Sequence, residues 1–184
     1  MRNDIISAGD TGARRRVLAA VAAALTLAGT LVVAEPALAA PRATSAVARL
    51  QRVEAIADAT GFDWRVAGGE FVVGCAPSTV QTRCTKGAYV TSERRMYVSP
   101  LAFATPALLQ HVVLHELAHL WQFTTAPREL RAGVMAPFGL TGLQALESGA
   151  DCLALHWGAG YPGLYGCPEG AQQVVGELYA ATVG

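Results

Sequence analysis

Beyond its first forty residues this chain has no cluster of lysines and arginines, no second long apolar run and no Cys-x-x-C pair. Each absence removes a class of function. Without a basic patch there is no electrostatic footprint for nucleic acid. Setting aside the first 39 residues takes four of the 14 basic and three of the 14 acidic side chains with it, which leaves a net charge near −1. Without a second apolar run, the remainder is expected to be a soluble monomer with no membrane partner. Without Cys-x-x-C, a cysteine-ligated zinc site lacks its usual spacing. The four cysteines present are Cys75, Cys84, Cys152 and Cys167. An even count in an exported chain points to disulfides. Of the three connectivities, the sequential one (Cys75 to Cys84, Cys152 to Cys167) closes two short loops and is the expectation here.

The export signal lies in residues 1–39. Arg14-Arg15-Arg16 is a basic n-region, Val17 to Val33 an apolar h-region, and Ala37-Leu38-Ala39 an A-x-A cleavage site after the helix-breaking Glu35-Pro36. This pattern predicts a secretory signal peptide and a secreted, extracellular mature protein. The general secretory route is favoured, and the consecutive arginines leave a twin-arginine route open. Residues 40–184 are long enough for one domain with a sizeable core.

Within that domain, Thr44 to Ala59 shows a helical stripe of Val47, Leu50, Val53 and Ala57, with Gly61 placed to end it. From Phe62 to Ser99 the signal changes to strands. Phe62, Trp64 and Val66 alternate with polar residues, Phe71 to Val73 is a buried-type run, and Ala88 to Val90 and Met96 to Val98 follow. Thr105-Pro106 predicts a helix start, and the helix runs to about Phe123. Thr141-Gly142-Leu143-Gln144 has capping-box spacing and predicts a helix to Trp157; Glu169 to Ala181 reads as a last helix. The fold class expected is α+β: an N-terminal helix, a small, mainly antiparallel sheet, and three further helices.

The first long helix after the strands carries His115-Glu116-Leu117-Ala118-His119, an H-E-x-x-H box. Two imidazoles four residues apart lie one above the other on one helical face and can reach one metal ion. The carboxylate after the first His sits about a third of a turn round, near water on that ion but outside its ligand shell. Two ligands and a carboxylate base are what a zinc hydrolase requires. A Gly and His continuation is absent, because Gln122 and Thr125 occupy those positions. Instead, 28 residues after His119, Glu147-Ser148-Gly149-Ala150-Asp151 puts two carboxylates on one face of the capped helix.

An H-E-x-x-H box followed by E-x-x-x-D resembles the gluzincin clan of zinc metallopeptidases, in a compact secreted form, over roughly Leu109 to Leu155. The resemblance implies a zincin-like domain, one catalytic zinc ion held by His115, His119 and Glu147, and Glu116 as general base. It implies Asp151 as acceptor for a ligand imidazole N–H. It also implies a His or Tyr from a later segment as donor to the substrate carbonyl; Tyr161 and Tyr165 are the candidates, with Tyr165 preferred. The strand Met96 to Val98 would offer its edge to an extended substrate. Asp151 remains an alternative third ligand. His111 is read as structural or cleft-lining, because three successive i+4 histidines cannot meet one tetrahedral ion on a straight helix. His156, nine residues after Glu147, points away. Since only 27 residues follow Trp157, a shallow, open cleft is expected. The function expected is peptide-bond hydrolysis of peptide or protein substrates. The alternative is a non-catalytic or weakly active, zinc-supported domain that binds peptide or cell-wall material.

Overall fold

Ser45 opens the fold by accepting the amide of Ala48 at 3.2 Å, which starts helix α1 (Ala46–Asp58). A computed structural model describes residues 45–77, 84–128, 130–161 and 163–183. The signal expected over residues 1–39 lies outside the described residues. α1 buries Val53 and Ala57, two of the four stripe positions expected.

Where Phe62, Trp64 and Val66 suggested a strand, the chain turns instead. Asp63 Oδ1 accepts the amide of Val66 at 3.1 Å, and Asp58 takes both the Trp64 indole N–H and Arg65. Short acidic side chains that bond nearby groups compete with a strand ladder, and here they win. Phe62 and Trp64 still reach the core, while Val66 is exposed. Alternation therefore reported burial for Phe62 and Trp64 but not for Val66, and it reported the geometry wrongly.

Three strands follow: β1 (Glu70–Val73), β2 (Gly87–Val90) and β3 (Arg95–Val98), in the order β1-β3-β2. β2 and β3 form an antiparallel hairpin around Thr91 to Arg94, and β1 adds to the other side of β3 in parallel, with Phe71 opposite Met96. The expected α+β class is what the chain adopts. The strand Met96 to Val98 is the central one, paired on both sides, so it has no edge to offer. The outer strands are β1 and β2.

A short 3-10 turn (Pro100–Ala104) leads into α2 (Pro106–Thr124). Thr105 caps it by accepting the Leu108 amide at 3.1 Å, with Pro106 in the first turn as expected. Every residue from His111 to Gln122 is buried, so α2 is the central helix, enclosed on all sides. It packs on α1, on β2 and β3, and most extensively on α4 (Gly142–His156). Between them lies the short α3 (Leu130–Gly133). α5 (Ala171–Val183) covers α4, and Trp121 of α2 donates to Thr182 of α5 at 3.1 Å. α4 starts where the capping box placed it, but Thr141 makes no side-chain cap; its carbonyl accepts from Ala145 instead. Both disulfides are those expected, Cys75–Cys84 and Cys152–Cys167. Among the described residues no helix is long and apolar enough to cross a membrane.

Candidate metal centre

Two i, i+4 pairs on packed helices face each other. α2 supplies His115 and His119, α4 supplies Glu147 and Asp151, and at about 100° per residue each pair occupies one side of its helix. His115 Nε2 lies 3.2 Å from His119 Nε2 and 3.2 Å from Glu147 Oε2; His119 Nε2 lies 3.4 Å from the same oxygen. These three donors form a nearly equilateral triangle. A tetrahedral ion with bonds of about 2.0–2.1 Å has donor-to-donor edges of about 3.3–3.4 Å. His115, His119 and Glu147 therefore could hold one metal ion.

Proton positions agree with that fit. Gln122 Nε2 donates to the Leu146 carbonyl at 3.0 Å, which leaves its Oε1 facing His119 Nδ1 at 2.8 Å. A carbonyl can only accept, so His119 Nδ1 must carry the proton. Likewise His115 Nδ1 lies 2.7 Å from Asp151 Oδ1 and donates to that carboxylate. Both Nε2 atoms then present lone pairs into the triangle beside a carboxylate oxygen. Three converging donor atoms could share one metal ion.

The electrostatics say the same in terms of protons. Burial alone would lower His115, but hydrogen bonds to Asp151 and Glu147 outweigh it and raise the imidazole to about 10. Burial would raise Glu147, yet its bonds to His115 and His119 bring it down to about 2. Carboxylates that raise His115 this far make its proton a competitor with a metal for the same nitrogen.

Asp151 lies beside His115, at 2.7 Å from its Nδ1, and is fully buried. His111, His115 and Asp151 are also close enough to share an ion. The 2.7 Å contact, however, is a proton-sharing distance, shorter than the edge of a ligand tetrahedron. This group reads as the support of the first. His156 lies against Gly176 and Tyr179 of α5, away from the site as expected.

Glu116 is buried beneath β2, and burial pushes its carboxyl up. Its oxygen and Val112 occupy the space that a Cβ on Gly87 would take, so the edge strand lies directly on the carboxylate. Ser99 donates to the Lys86 carbonyl at 2.9 Å, so by alternation Ala88 and Val90 face β3 and the backbone of Tyr89 is directed to the open edge. The cleft over the site has a volume of about 880 Å³, in the upper part of the range for ligand pockets. Tyr165 lines it, half exposed, its ring nearly parallel to His115 at 6.2 Å. Tyr161 stacks on His111 at 4.7 Å.

Three contributors escaped the sequence reading. Gln122 was legible, because it is three residues after His119 and thus on the same face. Gly87 and Gly163 were not, since a glycine does not announce what it lies against. No family model, no curated protein and no solved structure matches this chain.

Proposed function

We propose that the chain is an exported zinc peptidase with Glu116 as its general base. One observation carries this reading. Two imidazole nitrogens and one carboxylate oxygen converge with both Nδ1 atoms already engaged, beside a buried carboxylate that stays outside the triangle. Three protein ligands with a fourth position open is the catalytic rather than the structural pattern for zinc. The resemblance to gluzincins belongs to the same reading.

When bound, zinc would supply a Lewis acid that lowers the pKa of water toward about 7 and polarises a carbonyl. Glu116 accepts a proton from the attacking water and returns it to the leaving amine; the burial that raises its carboxyl makes it the stronger base. Asp151 and Gln122 keep the two imidazoles in the tautomer that the ligand role requires. Tyr165 is the candidate donor to the substrate carbonyl oxygen. The open edge of β2 can pair with an extended peptide backbone directly above Glu116. Leu101, Leu143 and Leu164 are 55%, 72% and 89% exposed and all line the cleft, which favours apolar side chains on that peptide. Two disulfides fit an extracellular site of action.

Elemental analysis of the domain beginning at Ala40, with casein and peptide hydrolysis measured alongside, tests the proposal. One zinc per chain with hydrolysis that disappears in Glu116→Gln is expected. One zinc per chain without hydrolysis of any peptide would leave the non-catalytic binding domain. A folded chain without zinc would remove both.

A further inference from the structure

Helix α2 carries a third histidine to which the mechanism gives no task. His111 lies one turn before His115, is 7% exposed, and places its Nε2 3.4 Å from Asp151 Oδ1. Its Nδ1 is buried without a partner. An orphaned buried nitrogen is a cost that packing alone does not call for, since an apolar ring would fill the same space without it. The ring is also enclosed: Tyr161 stacks on it at an interplanar angle of 28°, and a Cβ on Gly163 would run into it and into Asp151.

The partners of Asp151 show what this enclosure holds together. Oδ1 faces His115 Nδ1 and His111 Nε2, and Oδ2 accepts the amides of Tyr165 and Gly166, both at 2.9 Å. Three of these contacts are hydrogen bonds of 2.7 to 2.9 Å, and His111 adds a fourth, ion-pair contact at 3.4 Å. The next residue, Cys152, is bonded to Cys167, the residue after Gly166. Two of those contacts come from α2 and two from the segment between α4 and α5. Asp151 can orient His115 only in the rotation that also holds the two loop amides. Without His111, Oδ1 loses one of its two contacts and is held on that side by His115 alone.

We propose that His111 is a positioning residue that, through Asp151, couples the metal ligand His115 to the cleft wall at Tyr165 and Gly166, so that loading the metal orders that wall. The wall presents Tyr161, Leu164 and Tyr165 to the cleft. This rests on the metal-site reading and not on the peptidase reading. Coupling of this kind is reciprocal: whatever loosens the wall weakens the metal by the same factor.

The test titrates the metal-free domain with zinc against a competing chelator and follows hydrogen exchange at the Tyr165 and Gly166 amides. In the parent, zinc slows exchange of both amides by about tenfold or more. His111→Phe keeps the ring against Tyr161 but lacks the N–H; it should weaken zinc by about 10- to 100-fold and return both amides to their metal-free rates. His111→Gln restores a donor and should recover zinc affinity to within about threefold of the parent. Parent affinity and protection in His111→Phe would overturn the proposal. So would a parent whose two amides exchange at one rate with and without zinc, whichever variants fold. A parent that never saturates with zinc fails the metal reading as well, whereas saturation with unchanged exchange fails this inference alone.

Discussion

The floor of the cleft and its walls are built by different means. The floor is two helices, α2 and α4, whose functional side chains sit where a period of 3.6 residues puts them. The walls are the edge strand β2 and the segment between α4 and α5. They are held by close approach at Gly87 and Gly163 and by backbone amides that donate to one carboxylate. A helix fixes a side chain through its own backbone bonds. A wall of this kind is fixed only by what it touches. Changes in the floor should therefore remove a function outright, and changes in the walls should degrade it.

The largest effects are expected in the floor. Glu147→Ala deletes one corner of the donor triangle and should abolish stoichiometric zinc, read by elemental analysis after gel filtration. Full retention of zinc would transfer the ligand role to Asp151. Glu116→Gln should keep one zinc per chain and lower kcat/KM by about 10²- to 10⁴-fold, the range for a general base. The pair separates holding the metal from using it.

Acid and base should break the floor next. Metal-free, His115 is raised from 6.5 to about 10, so the stability it contributes is full below about pH 6.5 and is lost as pH rises through about 10. Glu147 is lowered from 4.5 to about 2, so its contribution is full above about pH 4.5 and is lost as pH falls toward about 2. The metal-free domain should therefore be most stable between about pH 4.5 and 6.5, measured by urea denaturation in the presence of a chelator. Zinc must displace the His115 proton, so binding near neutral pH should release protons and strengthen with pH, as calorimetry in buffers of different ionisation enthalpy will show. A zinc affinity independent of pH between about 6 and 9 would contradict the protonated triangle.

The same division decides how much was legible in the sequence. Helical period alone brings His115, His119, Glu147 and Asp151 to two facing stripes, and the structure closes those stripes into one site. Alternation placed Met96 to Val98 in a strand, but it does not encode strand order, so it could not show that β3 is central and β2 the open edge. Phe62 to Val66 alternated and still turned, because Asp63 takes the Val66 amide that a ladder would have used, while Asp58 anchors the Trp64 and Arg65 side chains. Thr141 matched a capping box by residue type while its side chain caps nothing. Local periodicity survives tertiary assembly; side-chain partners and close approaches are settled by it.

Gly87→Ala is the sharpest change to a wall. The new Cβ meets Glu116 and Val112, so either the carboxylate or the strand must move. Overpacking of this kind costs about 1–3 kcal/mol. A base displaced by about 1 Å loses on the order of 10²-fold in turnover. The zinc content should not change, because none of the three ligands lies in the path of that methyl group. Loss of zinc would mean that the edge strand supports the floor and that floor and wall are one unit.

The two disulfides give the smallest and most selective comparison. They close loops of similar length, with sequence separations of 9 and 15, so restricting the unfolded chain should make each worth about 3 kcal/mol. By stability alone they are equivalent, and replacing either pair by alanine should lower the denaturation midpoint by a similar amount. Their surroundings differ. Cys84 lies at the cleft before β2, whereas Cys152 and Cys167 flank Asp151 and the amide of Gly166 that bonds to it. Only the second pair should also weaken zinc, by several-fold, since it tethers the segment that completes the Asp151 carboxylate. Equal zinc affinities in the two double variants would mean that the hydrogen bonds hold Asp151 without covalent help. The wall would then be fixed by the same kind of local bonding that fixes the floor.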